Sequence, residues 1–190
     1  MVNVGLLVLR LVVGGLMAGH GAQKLFGWFG GYGIEGTGGF MESLNLKPGK
    51  KWATLSGLSE LGGGLLTALG FLNPLGLLGI FSSMGMATIK VHWNKPIWVT
   101  SGGAELPVVN MAVASTLMLT GPGTYSLDHA LGTKLPRWVA PVGLAGVAAA
   151  VAYGASTGVA SPEPSQEEEV GGKSAGGEDA EPVPSNEATS

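Results

Sequence analysis

The chain is 190 residues long, 45% hydrophobic and only 12% charged, with 34 glycines and no cysteine. That charge content is about half that of a soluble domain, and the lack of Cys excludes disulfides, thiolate catalysis and Cys-ligated iron–sulfur clusters. The net charge of -3 is unevenly spread: residues 1–160 hold nine Lys/Arg and five Asp/Glu, whereas residues 161–190 hold one Lys and eight Asp/Glu.

The first predicted element runs from Val4 to Lys24. It lacks a basic leader and is interrupted by Arg10, so it reads as an uncleaved membrane helix rather than a signal peptide. A Gly-rich aromatic stretch follows, Phe26 to Gly39, then a short amphipathic piece from Phe40 to Leu44. Trp28, Phe29, Tyr32 and Phe40 suit a membrane–water interface, which predicts an interfacial or re-entrant element over one mouth of a bundle. Further apolar segments run from Lys51 to Leu72, Pro74 to His92 and Ala104 to Thr120, with Asn73-Pro74 as a tight turn and Gly121-Pro122-Gly123 as a stop. Each approaches the ~20 residues that cross a bilayer. A fifth segment, Trp138 to Ser156, is rich in Ala, Gly and Val, and residues 158–190 read as a disordered acidic tail. Gly15-x-x-x-Gly19 and Gly62-Gly63-Gly64 are expected to supply close helix contacts. The fold class is therefore an all-α membrane protein: a four-helix transmembrane bundle over residues 1–132, an additional helix over 133–157, and the tail.

The Lys-rich loops predict which end faces the cytoplasm. Lys47, Lys50, Lys51 and Lys95, with Lys24 and Lys90 at the loop edges, lie at one end, against Lys134 and Arg137 at the other. The first end is then cytoplasmic and the N-terminus outside, in a bacterial inner membrane. Ionisable residues inside spans are costly and tend to face the bundle interior. At 1.5 Å per residue, Glu60 lies ~13 Å below Lys51, near the midplane, within reach of Arg10. His20, Lys24, Lys90, His92 and Glu105 gather at the Lys-rich mouth, with Asn110 ~8 Å deeper than Glu105. The expectations are a midplane Arg10–Glu60 pair and a separate polar cluster at the mouth. Against these stand structural readings: Arg10 snorkelling outward, Glu60 in an interhelical ion pair, and Lys24 and Lys90 as interface anchors. Two histidines near helix ends make haem a minor alternative, and no metal set is evident.

Leu9-Arg10-Leu11 with Gly14, then His20-Gly21 and Lys24-Leu25-Phe26-Gly27, Glu60-Leu61-Gly62-Gly63, His92, Gly103 with Glu105, and the run from Gly121 to Asp128 occur in the order seen in DoxX-type membrane proteins. The chain resembles that family over about residues 4–132. The resemblance implies a four-helix membrane bundle and a link to thiosulfate:quinone or thiol-related redox complexes. The fifth segment and the acidic tail lie beyond the family's usual end.

The leading functional expectation is an integral membrane subunit of a redox complex that binds quinone. His20, Lys24, His92 and Asn110 are the cofactor-binding candidates, because N–H donors suit quinone carbonyls. Glu60, Glu105 and Arg10 are the candidates for proton handling and catalysis. Without Cys or a metal set, the electrons come from a redox partner protein or a small reductant, and the chain is an incomplete enzyme alone. The lipid bilayer is the other expected partner, a homo-oligomer is compatible with the sequence, and nothing points to nucleic acid. The alternative is a non-catalytic membrane scaffold or small-solute carrier whose buried charges are structural.

Overall fold

A computed structural model describes residues 1–157; the acidic tail lies outside the described residues. All regular structure among the described residues is helical. The helices are α1 (Val2–Phe26), α2 (Gly33–Ser43), α3 (Gly49–Leu69), α4 (Leu75–Ala87), α5 (Glu105–Thr120), α6 (Leu127–Leu131) and α7 (Val139–Ser156). α4 continues as a π-helical turn over Thr88–His92. Among the described residues, three helices are long and apolar enough to cross a membrane: Val2–Phe26, Leu75–His92 and Val139–Ser156. α3 has the length, at 21 residues, but carries Lys50, Lys51 and Glu60 among its glycines and hydroxyls. α5 is a shorter apolar helix of 16 residues. The chain is an all-α, multi-pass membrane protein whose outer faces, such as Val8, Val12 and Leu16 on α1 and Leu58 and Leu65 on α3, are exposed apolar side chains suited to lipid.

α1 and α3 form the closest helix pair, and glycine makes the closeness possible. A Cβ on Gly21 would lie 2.2 Å from the Leu61 backbone nitrogen, and one on Gly64 would lie 2.4 Å from that of Ala18. Gly14 likewise faces Gly64 and Ala68. The contacts fall at Gly14, Ala18 and Gly21, one turn apart on one helix face, whereas Gly15 and Gly19 meet nothing within 4 Å. The expected Gly15/Gly19 face is thus displaced by one residue, because either register puts a small residue, Gly or Ala, at each turn. Gly63 serves a second face of α3, packing on Gly76 and Gly79 of α4. α1, α4 and α5 then close an apolar core of Leu6, Val13, Met17, Leu77, Ile80, Met84, Ala114 and Leu117.

The Gly-rich stretch after α1 is more ordered than its composition predicts. Four glycines within Gly33–Ser43 lower helix propensity, yet α2 forms because tertiary contacts compensate. Gly38 abuts the backbone at Gly49 and Lys50, and Glu42 accepts the Gly49 N–H at 3.0 Å, an acid at the start of α3. Met41, Leu46 and Ala53 form a second buried cluster beneath α2. The aromatic residues Trp28, Phe29 and Tyr32 stay exposed at this end.

Candidate functional site

Arg10 and Glu60 do not pair. Side chains in an α-helix lean toward its N-terminus. α1 and α3 are antiparallel, so Arg10 leans toward one end of the bundle and Glu60 toward the other. Arg10 is buried, donating to the carbonyls of Pro122, Tyr125 (2.6 Å) and Ala68 (3.4 Å). It clamps the α5–α6 loop onto the end of α3, with Asp128 as a favourable neighbouring charge. Asp128 also accepts the N–H groups of Leu72 and Asn73, both at 2.9 Å, which fixes the α3–α4 turn. Arg10→Lys keeps the charge but loses the planar fork. The expected cost is about 1.5–3 kcal/mol, the worth of one charged hydrogen bond, read as a lower unfolding midpoint in mixed micelles.

The partner of Glu60 is Lys24, at 2.5 Å. The same leaning explains it: Lys24, in the last turn of α1, projects back into the bundle, while Glu60 projects toward the mouth. Gly57, packed against Leu25 and Lys24, lets the two helices approach. Glu60 Oε1 also accepts the Ser83 hydroxyl of α4, and Lys24 Nζ donates to Ser56 Oγ at 3.0 Å. Glu60 Oε2 is buried with no hydrogen-bond partner among the described residues. The Glu60 side chain is 3% exposed and that of Lys24 27%. An ion pair thus joins three helices, with its cationic end toward the mouth.

Lys24, Ser56 and Ser83 are also polar edges of a cavity of about 150 Å³. Its walls are mostly apolar: Phe40 and Met41 of α2 with Leu44 just after it, Trp52 and Leu55 of α3, and Met86, Ala87 and Val91 from α4 and its π turn. Lys90 lines it too. The cavity lies at the Lys-rich end, roofed by α2, where the sequence places a mouth element. A mostly apolar chamber with a few convergent polar groups is the usual form of a small-molecule site.

The other residues singled out from the sequence are dispersed. His20 is exposed on α1 and bonds Gln23 at 3.0 Å. His92 bonds the Gly102 carbonyl at 2.6 Å, and Glu105 accepts the Val99 N–H at 2.8 Å. Both fold the loop between α4 and α5. Asn110 sits 3.6 Å from the Met84 sulfur, away from the cavity. Lys90 donates to the Ala155 carbonyl at 3.2 Å. Of the mouth cluster, Lys24 and Lys90 share the cavity, and His20, His92 and Glu105 do not line it. Three contributors were absent from the sequence reading. Ser56 was within reach of inference, standing one turn before Glu60 on the same face. Trp52 stands a further turn back on that face of α3, and Ser83 carried no such signal, because only the docking of α4 brings its hydroxyl to Glu60.

Comparison with known proteins adds one finding. The DoxX family model matches residues 5–93. No curated protein and no solved structure matches the chain. The match is shorter than the resemblance over residues 4–132 suggested, ending just after α4 and its π turn, so the loop bearing Gly121 to Asp128 lies outside it. Every residue lining the cavity, and both members of the Lys24–Glu60 pair, fall within it. Over residues 5–93, the segment that builds the cavity and its ion pair, the chain belongs to the DoxX family of membrane proteins.

Proposed function

We propose that the chain is a quinone-binding subunit of a redox complex in a bacterial inner membrane, with the α2–α3–α4 cavity as the quinone site. The observation that carries this reading is a lysine at the edge of an apolar chamber, salt-bridged to a buried glutamate behind it. A quinone is a flat apolar ring with two carbonyl acceptors, and its reduction takes up two electrons and two protons. The apolar walls suit the ring. Lys24, the more exposed member of the pair, suits a carbonyl oxygen, and the hydroxyls of Ser56 and Ser83 hold Lys24 and Glu60 in place.

Glu60 is the proton-handling residue of this reading. Its Oε2 makes no hydrogen bond among the described residues while its Oε1 is held by Lys24 and Ser83, which leaves one carboxylate oxygen for exchange. Arg10, His92 and Glu105 take structural roles instead, in the loops they hold, and His20 has none in the site. The electrons come from a partner protein or a small reductant such as thiosulfate.

Organic extraction of the purified chain is expected to yield quinone enriched over the surrounding membrane lipid. Glu60→Gln is expected to lower thiosulfate-dependent quinone reduction in membranes by about tenfold or more at unchanged expression, as loss of a proton-transferring group does. Extracts without enriched quinone, or full activity in Glu60→Gln membranes, would overturn the reading.

A further inference from the structure

α7 lies outside the family-matched segment, and most of its surface is exposed. Its two buried residues, Val151 and Gly154, are both in its C-terminal half. That end touches the cavity wall from behind in three places. Tyr153 stacks on Trp52, with ring centroids 6.4 Å apart and planes 25° from parallel. Gly154 faces Met86 and Trp52: a Cβ there would lie 2.2 Å from Met86 Cε and 3.2 Å from Trp52 Cη2. The Ala155 carbonyl accepts Lys90 Nζ at 3.2 Å. Trp52, Met86 and Lys90 all line the cavity, while Tyr153, Gly154 and Ala155 do not.

We propose that the C-terminal turn of α7 sets the width of the ligand cavity, with Gly154 as the positioning residue that leaves Trp52 and Met86 room to stand back from it. The inference rests on reading the cavity as a ligand site. Its physical basis is close packing: a side chain added behind a wall residue must displace something, and the flexible end of Met86 yields before the backbone does. The displaced thioether and indole have open space on their cavity side. The helix itself is expected to stay docked, because Lys90 and the upper α7 contacts remain.

A built-in control exists on the same helix. A Cβ on Gly143 would lie 2.2 Å from Leu78 Cδ1, the same crowding against α4 but away from the cavity, and one on Gly146 would meet nothing within 4 Å. The chain has no cysteine, so Ser82→Cys places a single thiol in the cavity lining. Its rate of labelling by N-ethylmaleimide in native membranes reads the width directly.

Adding Gly154→Ala is expected to slow labelling about twofold and Gly154→Val about fivefold or more, with Gly143→Ala and Gly146→Ala within about 1.5-fold of the parent. The alanine series keeps the test available should the valine variant fold poorly. Equal slowing by Gly143→Ala and Gly154→Ala, no slowing by any Gly154 variant, or a parent thiol that is not labelled would overturn the proposal. Duroquinone, whose fully substituted ring does not add thiols, is expected to protect the parent thiol. Failure of that protection with the Gly154 effect intact would count against quinone as the ligand and leave the α7 wall standing.

Discussion

Lys24→Met is expected to destabilise the chain by about 3–5 kcal/mol, because it strands the Glu60 carboxylate among three helices without a counter-charge. The residual Ser83 hydroxyl cannot offset a whole charge in a site that is 3% exposed. Glu60→Gln is the milder change, expected below about 2 kcal/mol. The freed Lys24 can turn toward the mouth, where its side chain is already 27% exposed, and the Gln amide still meets Ser83. The double variant Lys24→Met/Glu60→Gln should therefore recover most of the loss in Lys24→Met. Reversible unfolding in mixed micelles checks the order. Equal costs for the two single variants, or a double variant as unstable as the sum, would show that the pair is not coupled.

Gly21→Leu is expected to cost about 3 kcal/mol or more, at the top of the range for overpacking. The atom in the way is the Leu61 backbone nitrogen, 2.2 Å from where a Cβ would stand, so the neighbour cannot rotate aside and α1 must separate from α3. That separation would also pull Lys24 from Glu60. Gly19→Leu, two residues earlier, points into open space and should be tolerated, with the gain in helix propensity of up to about 1 kcal/mol that replacing Gly brings. Yields of folded, monodisperse protein after detergent extraction distinguish the two. Equal tolerance would contradict the α1–α3 register.

These two results bear on how much the sequence discloses. Helix positions were legible, since an apolar segment of membrane length has few other folds. That Glu60 matters was legible from its cost in hydrocarbon. Its partner was not, because depth was counted from the segment ends rather than from the helix register: Gly21 docks at Gly57 and Leu61 while Arg10 reaches Ala68 and Gly70, so Arg10 and Glu60 lie about 16 Å apart along α1, and Lys24 is the cation level with Glu60. The glycine faces failed similarly, since Gly14-Gly15 offers two registers and only the docked partner chooses between them. α2 was partly hidden by its glycines, and the α7 contribution was hidden entirely. Nothing at Tyr153 or Gly154 points to a cavity until Trp52 and Met86 are seen against them.

In the proposed quinone site Lys24 is a polar edge of the cavity, held by Glu60 behind it. Equilibrium binding of a short-chain benzoquinone to the full chain in nanodiscs tests it most directly, comparing the native chain with the charge-neutral double variant Lys24→Met/Glu60→Gln. Saturable binding to the native chain is expected, weakened about tenfold or more in the double variant, the loss of one charged hydrogen bond. Equal affinity in the two, or no saturable binding to the native chain, would contradict it.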